Sequence, residues 1–332
     1  MLSNNYYYPT VYHDNIFTSL SQDDVLNYDN VALLEQKICD IVGCKYCITT
    51  CNGQMALYAI MSVMNIDDNE NNNIIIPDWS YPAFYLNAKH MNIKCKFADI
   101  KKDTLSMNPD DIESLIDENT KAICFINHLG YLGEDIVRIQ SIAKEHNLWF
   151  IEDSAHALGS IYNGKHAGTF GDMSIFSFSG SKLIRSGEGG CICTNNEELY
   201  KKAKYLVRDE LNLTMSPILA KLLYEQLSNF DWYMQRNKEI RDIYKKCGVP
   251  IYENTTDNNF SLHVVYMTKN AYKLFPKLNN MNIPCRYMYY RSLTHLPVAS
   301  EVEREYLELP CSLSLTENEI KKIANAIRLF DR

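Results

Sequence analysis

The pattern that most constrains the fold is the alternation of short apolar runs with helical patterns between residues 46 and 151. Such an alternation is typical of an α/β fold with a mostly parallel sheet, in which ligands bind at the carboxyl ends of the strands. The predicted strands are Tyr46–Thr50, Ile74–Ile76, Lys94–Phe97, Ala122–Ile126 and Leu148–Ile151. The predicted helices are Val31–Val42, a helix that begins after Gly53, Ala83–His90, Asn108–Ile116 and Asp135–Glu145.

Beyond Thr194 the pattern changes, and it predicts a second, smaller domain. Ser216-Pro217 is a typical helix start, and a long apolar helical stretch follows it. We expect an N-terminal arm and a large α/β domain over residues 1–212, and a small α+β domain over residues 213–332. The small domain is expected to contain strands Leu262–Met267 and Arg286–Tyr290, a helix Ala271–Leu278 and a last helix capped by Thr316 and Glu319.

Charge and hydropathy exclude several classes of function. The 332 residues carry 33 Lys and Arg against 41 Asp and Glu, a net charge of −8, which argues against a nucleic-acid or anionic-membrane surface. The first residues lack the basic and apolar regions of a secretory signal, and no apolar run is long enough to span a bilayer. We therefore expect a cytoplasmic protein.

The eleven cysteines are odd in number and irregularly spaced, so we expect reduced thiols rather than a disulfide framework. Cys44-x2-Cys47 followed by Cys51 has the spacing of part of a zinc site. These residues also belong to a β-branched, aromatic segment in which cysteine acts as a small hydrophobic residue, and Cys191-x-Cys193 has a similar setting. We expect no metal site.

Polar residues concentrate at the ends of three apolar runs between Trp149 and Thr194. Asp153 and His156 follow the first run, and Ser177 and Lys182 follow the second. A glycine-rich segment, Gly187 to Gly190, leads into the third run and gives room for a ligand. An acid, an imidazole, a hydroxyl and an amine at strand ends predict an enzyme active site.

A lysine amine at such a site favours Schiff-base chemistry with pyridoxal 5'-phosphate (PLP). The cofactor needs an acid for its ring nitrogen, which Asp153 can supply, and an aromatic partner such as Tyr81. Gly53 and Gln54 at a helix start, together with Ser177, can bind its phosphate. His156 can donate to the ring hydroxyl, or it can be a buried structural histidine.

These residues resemble the DegT/StrS-type sugar aminotransferase family of fold-type I PLP enzymes. The resemblance runs nearly from end to end and includes N-G-Q-M-A-L, I-I-P-D-W-S-Y, I-E-D-S-A-H-A-L-G, G-D-M-S-I-F-S-F-S-G-S-K and G-E-G-G. It implies an aspartate-aminotransferase-like large domain with a mostly parallel seven-stranded sheet. It also implies that Lys182 is the Schiff-base lysine and Asp153 the pyridinium partner, with Tyr81 stacked on the ring and Ser177 on the phosphate.

The resemblance further implies a homodimer with shared sites, because Asn212 matches a family asparagine that reaches the phosphate in the neighbouring subunit. The sequence departs from the family pattern at three places. Gln54 replaces a threonine, so its phosphate contact is expected from the backbone N–H. His156 replaces a glutamine, and the segment between Gly190 and Asn212 is shorter than in the family.

The implied reaction transfers an amino group from L-glutamate to the keto carbon of a nucleotide-linked 4-keto-6-deoxyhexose. The product would be a 4-amino-4,6-dideoxy sugar of the viosamine or perosamine type. Tyr81, His128 and Arg286 are the expected sugar-binding residues. Alternatives are amination of a 3-keto sugar or a cyclitol, and a non-catalytic PLP-binding regulator. A family branch with histidine in place of the lysine consists of dehydratases, and Lys182 disfavours it.

Overall fold

The computed structural model of the protein describes residues 20–253 and 263–331. The strands are β1 (Tyr46–Thr50), β2 (Asn73–Pro77), β3 (Trp79–Ser80), β4 (Lys94–Ala98), β5 (Thr120–Ile126), β6 (Trp149–Asp153), β7 (Ile161–Tyr162), β8 (Lys165–His166), β9 (Met173–Ser177), β10 (Gly190–Thr194), β11 (Val264–Met267), β12 (Arg286–Tyr287), β13 (Arg291–Ser292) and β14 (Tyr306–Leu309). The helices are α1 (Asp29–Val42), α2 (Gly53–Val63), α3 (Ala83–His90), α4 (Pro109–Leu115), α5 (Glu134–Glu145), α6 (Glu197–Tyr205), α7 (Pro217–Ser228), α8 (Phe230–Lys246), α9 (Ala271–Asn280), α10 (Pro297–Glu305) and α11 (Glu317–Phe330).

The central element is a seven-stranded sheet with the order β1-β10-β9-β6-β5-β2-β4. Strands β9, β6, β5, β2 and β4 are mutually parallel, and β10 runs antiparallel between β1 and β9. The predicted mostly parallel seven-stranded sheet is therefore confirmed. Because all five parallel strands point the same way, their carboxyl ends lie along one edge.

Apolar clusters cover both faces of this sheet, which explains why its strands read as continuous apolar runs. In β5, Ala122, Cys124 and Ile126 belong to one cluster, together with residues of α2 and α3. Ile123 and Phe125 belong to the cluster on the other face, with residues of α5. Strand β5 is thus held between two helical layers.

A three-stranded antiparallel sheet, β11-β14-β12, forms the second architectural unit. Leu307 and Leu309 of β14 pack into an apolar cluster with α8, α9 and α11. Tyr306 and Glu308 alternate with them, and Tyr306 contacts Trp79 of β3. The two units are also joined by pairing of β13 with β3.

Asp78 strengthens this junction between the units. Its carboxylate accepts hydrogen bonds from the N–H and hydroxyl of Thr294, both at 2.6 Å, and from the hydroxyl of Ser292. The Asp78 backbone carbonyl accepts from Leu293 N–H at 2.9 Å. The connection after β13 is therefore fixed to the segment that leads to Tyr81.

Three local predictions need correction. The strand predicted at Arg286–Tyr290 ends at Tyr287, because Met288 adopts a left-handed φ of 56°. The long helical stretch after Pro217 is two helices, separated at Asn229. The strand predicted at Leu148–Ile151 starts one residue later and extends to Asp153.

Other predictions fall partly or wholly outside the described chain. Most of the predicted N-terminal arm lies there, and so does Leu262, the expected start of β11. Among the described residues, no helix is both long enough and apolar enough to cross a membrane.

Candidate active site

A cavity of about 470 Å³ lies where the carboxyl ends of β6 and β9 meet the N-terminus of α2. Seven of the eight predicted cofactor residues line it: Gly53, Gln54, Tyr81, Asp153, His156, Ser177 and Lys182. Asn212 does not line it. The wall also contains Asn52, Asn127, Glu188, Tyr289 and Tyr290.

Lys182 and Asp153 form the charged centre of this cavity, and both are buried. Burial lowers the pKa of the Lys182 amine to about 7, although the Asp153 charge opposes this shift. Burial also raises the pKa of Asp153 to about 6, against hydrogen bonding from Ala155 N–H and the charge of Lys182. Near neutral pH the site can therefore present a carboxylate and an amine that is partly unprotonated.

The loop between β9 and β10 positions Lys182. Phe178 N–H donates to the Gly189 carbonyl at 2.8 Å, and Gly180 N–H donates to that of Gly187 at 3.0 Å. Gly187 has a φ of +89°, a conformation that side chains rarely adopt. The glycine-rich segment thus closes a compact loop that directs the lysine inward.

The N-terminus of α2 forms the anion-binding end of the cavity. The Asn52 side chain caps the helix by accepting Met55 N–H at 2.9 Å. The N–H groups of Gly53 and Gln54 lie in the first turn, where an α-helix offers them no internal acceptor. A Cβ on Gly53 would come within 3.1 Å of the Ser177 Cβ, so the Ser177 hydroxyl lies beside this turn.

His156 lies in the cavity wall, and its Nδ1 shares a 2.6 Å hydrogen bond with the Tyr290 hydroxyl. Its ring is 4.7 Å from the ring of His263, centre to centre. Burial, followed by the charge of Lys182, lowers the pKa of His156 well below its ordinary value. The imidazole is therefore neutral. His156 lines the cavity, and the hydrogen bond to Tyr290 also holds its ring in place.

Three tyrosines, Tyr81, Tyr289 and Tyr290, form the aromatic part of the wall. Tyr81 is 49% exposed and stacks on Tyr289 with ring centres 5.8 Å apart. Tyr289 also lies nearly parallel to the His156 ring, at 6.3 Å. Flat surfaces from both architectural units therefore meet at the cavity.

The three remaining predicted site residues do not line the cavity. His128 is buried against Trp79 and Tyr290, its Nε2 contacts the Trp79 carbonyl, and burial lowers its pKa to about 4. Arg286 is buried behind Tyr289, with its guanidinium 5.0 Å from that ring. Asn212 is exposed and accepts a 3.3 Å hydrogen bond from Thr214.

A fully buried carboxylate, Glu308, lies behind Arg286. It contacts His263 Nδ1 at 2.8 Å and Arg286 at 3.7 Å. Burial acts to raise the pKa of Glu308, but His263 and Arg286 together hold it below the ordinary value. In the sequence, Glu308 lies between two leucines in L-E-L-P. A charged residue inside an apolar strand is the signal that could have identified it as a buried, paired carboxylate.

Asn127 also went unnoticed in the sequence. It follows β5, and its amide donates to Glu152 at 2.8 Å and to Ser154 at 2.9 Å. Its Oδ1 is buried and has no hydrogen-bond partner among the described residues. A position directly after a parallel strand was the signal that could have identified it.

The residues present fit PLP. A helix N-terminus with a serine hydroxyl suits its phosphate, a buried carboxylate suits its ring nitrogen, and a buried amine suits its aldehyde. The unpartnered Asn127 Oδ1 in the same wall is available to a polar ligand.

Comparison with known proteins gives the same result. The model of the DegT/DnrJ/EryC1/StrS aminotransferase family matches residues 13–328. A GDP-perosamine synthase of Escherichia coli O157:H7 is 30% identical over 89% of this chain and 88% of its own length. A dTDP-3-amino-3,6-dideoxy-alpha-D-galactopyranose transaminase of Aneurinibacillus thermoaerophilus is 28% identical over 89% and 88%.

Solved structures have the same fold. A candidate sugar aminotransferase of Streptococcus pneumoniae, in its PLP form, superposes with a TM-score of 0.86 at 21% identity, covering 97% of both chains. This agreement confirms the predicted fold-type I architecture.

Proposed function

Because the chain belongs to the DegT/DnrJ/EryC1/StrS aminotransferase family and is thus a PLP-dependent aminotransferase, we propose that it aminates a nucleotide-linked sugar. The proposed donor is L-glutamate, and the proposed acceptor is the C4 keto group of a nucleotide-linked 4-keto-6-deoxyhexose. The observation that carries the proposal is the buried Lys182 opposite Asp153 in a cavity that ends at a helix N-terminus.

Lys182 is the proposed catalytic residue. Bound PLP supplies an aldehyde that amines attack and a ring that takes up electron density. With its pKa lowered to about 7, the Lys182 Nζ is a competent nucleophile near neutral pH. The same atom, once released, can accept the substrate proton and return it.

The other cavity residues have binding and orienting roles in this proposal. Asp153 provides a negative charge at the end of β6, where it favours a protonated ring nitrogen. Gly53, Gln54 and Ser177 hold the phosphate, and Tyr81 covers one ring face. Asn212 reaches the cofactor of the partner subunit in a homodimer, which agrees with its position outside its own cavity.

Amination at C4 is favoured by the relative with the higher identity, a perosamine synthase, since perosamine carries its amino group at C4. The similarity to a 3-amino sugar transaminase makes amination at C3 the second candidate reaction. The sugar-binding roles of His128 and Arg286 become indirect in this proposal. His128 supports Trp79 and Tyr290, and Arg286 supports Tyr289.

The test is amino transfer from isotope-labelled L-glutamate to a panel of GDP-, dTDP- and UDP-linked 4-keto-6-deoxyhexoses, with NMR to locate the aminated carbon. We expect label at C4 and an equivalent of 2-oxoglutarate. Label at C3 would establish the second candidate instead.

Lys182→Ala provides the control, and we expect it to lose at least about 10³-fold in rate. Full turnover by this variant would exclude the proposed mechanism. Failure of the wild-type protein to exchange amino groups with glutamate would favour the non-catalytic PLP-binding regulator.

A further inference from the structure

Two cysteine pairs that are far apart in sequence lie together in the fold. Cys47 of β1 is directly opposite Cys193 of β10, and Cys191 lies two residues along the same strand. Residues two apart on a strand face the same way, so all three thiols share one face of the sheet. Cys44-x2-Cys47 and Cys191-x-Cys193 thus meet on neighbouring strands.

The sulfur positions suit one metal ion. The Sγ atoms of Cys47, Cys191 and Cys193 all lie within 4.8 Å of one another. The Cys44 thiol lies outside this group of three but close to Cys193, and it donates to the Cys39 sulfur at 3.8 Å and to the Tyr46 carbonyl at 3.5 Å. In a tetrahedral thiolate site with bonds of about 2.3 Å, sulfurs lie roughly 3.8 Å apart. Small side-chain movements would bring the three to that spacing, and rotation of the Cys44 side chain would supply a fourth sulfur.

The surroundings of the four thiols are apolar and closed. All four cysteines are buried, and they belong to the apolar cluster that includes Ile38 and Val42 of α1. This closed apolar setting would exclude water from a bound ion and its ligands.

We propose that Cys44, Cys47, Cys191 and Cys193 form a binding site for a thiophilic metal ion, with Zn²⁺ as the reference ion. Four thiols that bind Zn²⁺ release four protons and give a tetrathiolate complex with charge −2, so no oxidant or reductant is required. Cys39 is only partly buried, and its Sγ is 3.8 Å from that of Cys44, so a further thiol lies between the four cysteines and the surface.

A metal at this site would act on the cofactor cradle, which is the first turn of α2 together with Ser177. It would do so through β10, the strand that carries Cys191 and Cys193. Gly190 precedes Cys191 and packs so closely on the Asn52–Gly53 backbone that a Cβ there would lie 2.6 Å from Gly53 N. A metal that joins β1 to β10 would hold this contact in place. Metal binding itself does not depend on the proposed amino-transfer reaction.

The test uses the purified PLP-loaded enzyme, stripped of metal with a chelator under reducing conditions. Zn²⁺ affinity is measured by competition with a chromophoric chelator, and Co²⁺ replaces Zn²⁺ for spectroscopy. We expect one equivalent of metal, thiolate-to-cobalt charge-transfer absorption and a rise in Tm with Zn²⁺. Cys193→Ser should weaken Zn²⁺ binding at least about 100-fold, since it removes one of the three sulfurs that lie within 4.8 Å of one another.

Cys124→Ser is the matched control, because Cys124 is equally buried in β5 of the same sheet but lies outside the cluster. It should retain wild-type affinity and the cobalt spectrum. Absence of thiolate-to-cobalt absorption in the wild-type protein would overturn the proposal, whether or not the variants fold. Unchanged Zn²⁺ affinity in a folded Cys193→Ser protein would also overturn it.

Discussion

At the scale of single residues, adjacent acids in β6 have opposite roles. Asp153 lines the cavity, whereas Glu152 points to the other side of the strand and is fully buried. The Glu152 carboxylate accepts from the N–H groups of Gly168 at 2.6 Å and Phe170 at 2.9 Å, and from Asn127 at 2.8 Å. It thereby anchors the segment between β8 and β9 to the strand that carries Asp153.

Glu152→Gln should lower the free energy of unfolding by about 2–4 kcal/mol, because an amide group would face N–H donors and leave them unpaired. Urea unfolding measures this effect. Glu145→Gln, at an exposed position at the end of α5, should change stability by no more than about 0.5 kcal/mol. Equal effects in the two variants would contradict the anchoring role.

The buried amine of Lys182 predicts a pH dependence of stability in the cofactor-free protein. Its folded-state pKa of about 7 lies below the ordinary 10.5, so the unfolded chain binds the extra proton between these values. Stability should therefore rise as pH increases from 7 toward 10, by about 3 kcal/mol relative to Lys182→Met. Asp153, Arg286, Glu308 and His156 are the neighbouring groups that adjust this shift.

Urea unfolding of both proteins over this pH range is the measurement. A constant difference in stability would mean that the amine is not buried as described.

At the scale of elements, the cofactor cradle depends on close packing between β10 and α2. The Gly190 backbone contacts that of Asn52 and Gly53, which leaves no space for a side chain. The turn that presents N–H groups to an anion is therefore supported by a strand rather than by its own sequence alone.

Gly190→Ala should displace the first turn of α2, weaken PLP binding by about tenfold or more, and destabilise the protein by about 1–3 kcal/mol. Gly180→Ala is the control in the same connection, since a Cβ there has no neighbour within 4 Å. PLP affinity from fluorescence titration distinguishes the variants. Equal affinities would show that the cradle does not need this contact.

At the scale of the whole molecule, the proposed homodimer makes a prediction about shared sites. Lys182→Ala and Asn212→Ala dimers should each have low activity. If Asn212 serves the partner's site, subunit exchange creates hybrids in which one site is wholly wild type. We expect about a quarter of wild-type activity after equal mixing and random exchange.

The hybrid experiment has an internal control. If Asn212 acted in its own subunit, every site in the hybrid would carry one substitution, and mixing would restore nothing. Light scattering of the unmixed proteins checks that both variants remain dimeric.

The sequence by itself determined the sheet and much of the cavity. Apolar runs set the strands, and parallel strands bring their carboxyl ends to one edge, so the sequence alone groups Asp153, Ser177 and Lys182. The helix start at Gly53 joined them because its signal is also local.

Only the tertiary structure decided how distant segments meet. Burial of His128 behind Trp79, the pairing of Glu308 with His263, and the meeting of Cys44-x2-Cys47 with Cys191-x-Cys193 depend on packing between elements far apart in sequence. The spacing of residues in the sequence does not determine the order of strands in a sheet, nor which side chains face each other across an interface. The position of a residue at the end of one strand was therefore predictable from the sequence. Contacts between residues of different strands or of the two architectural units were not.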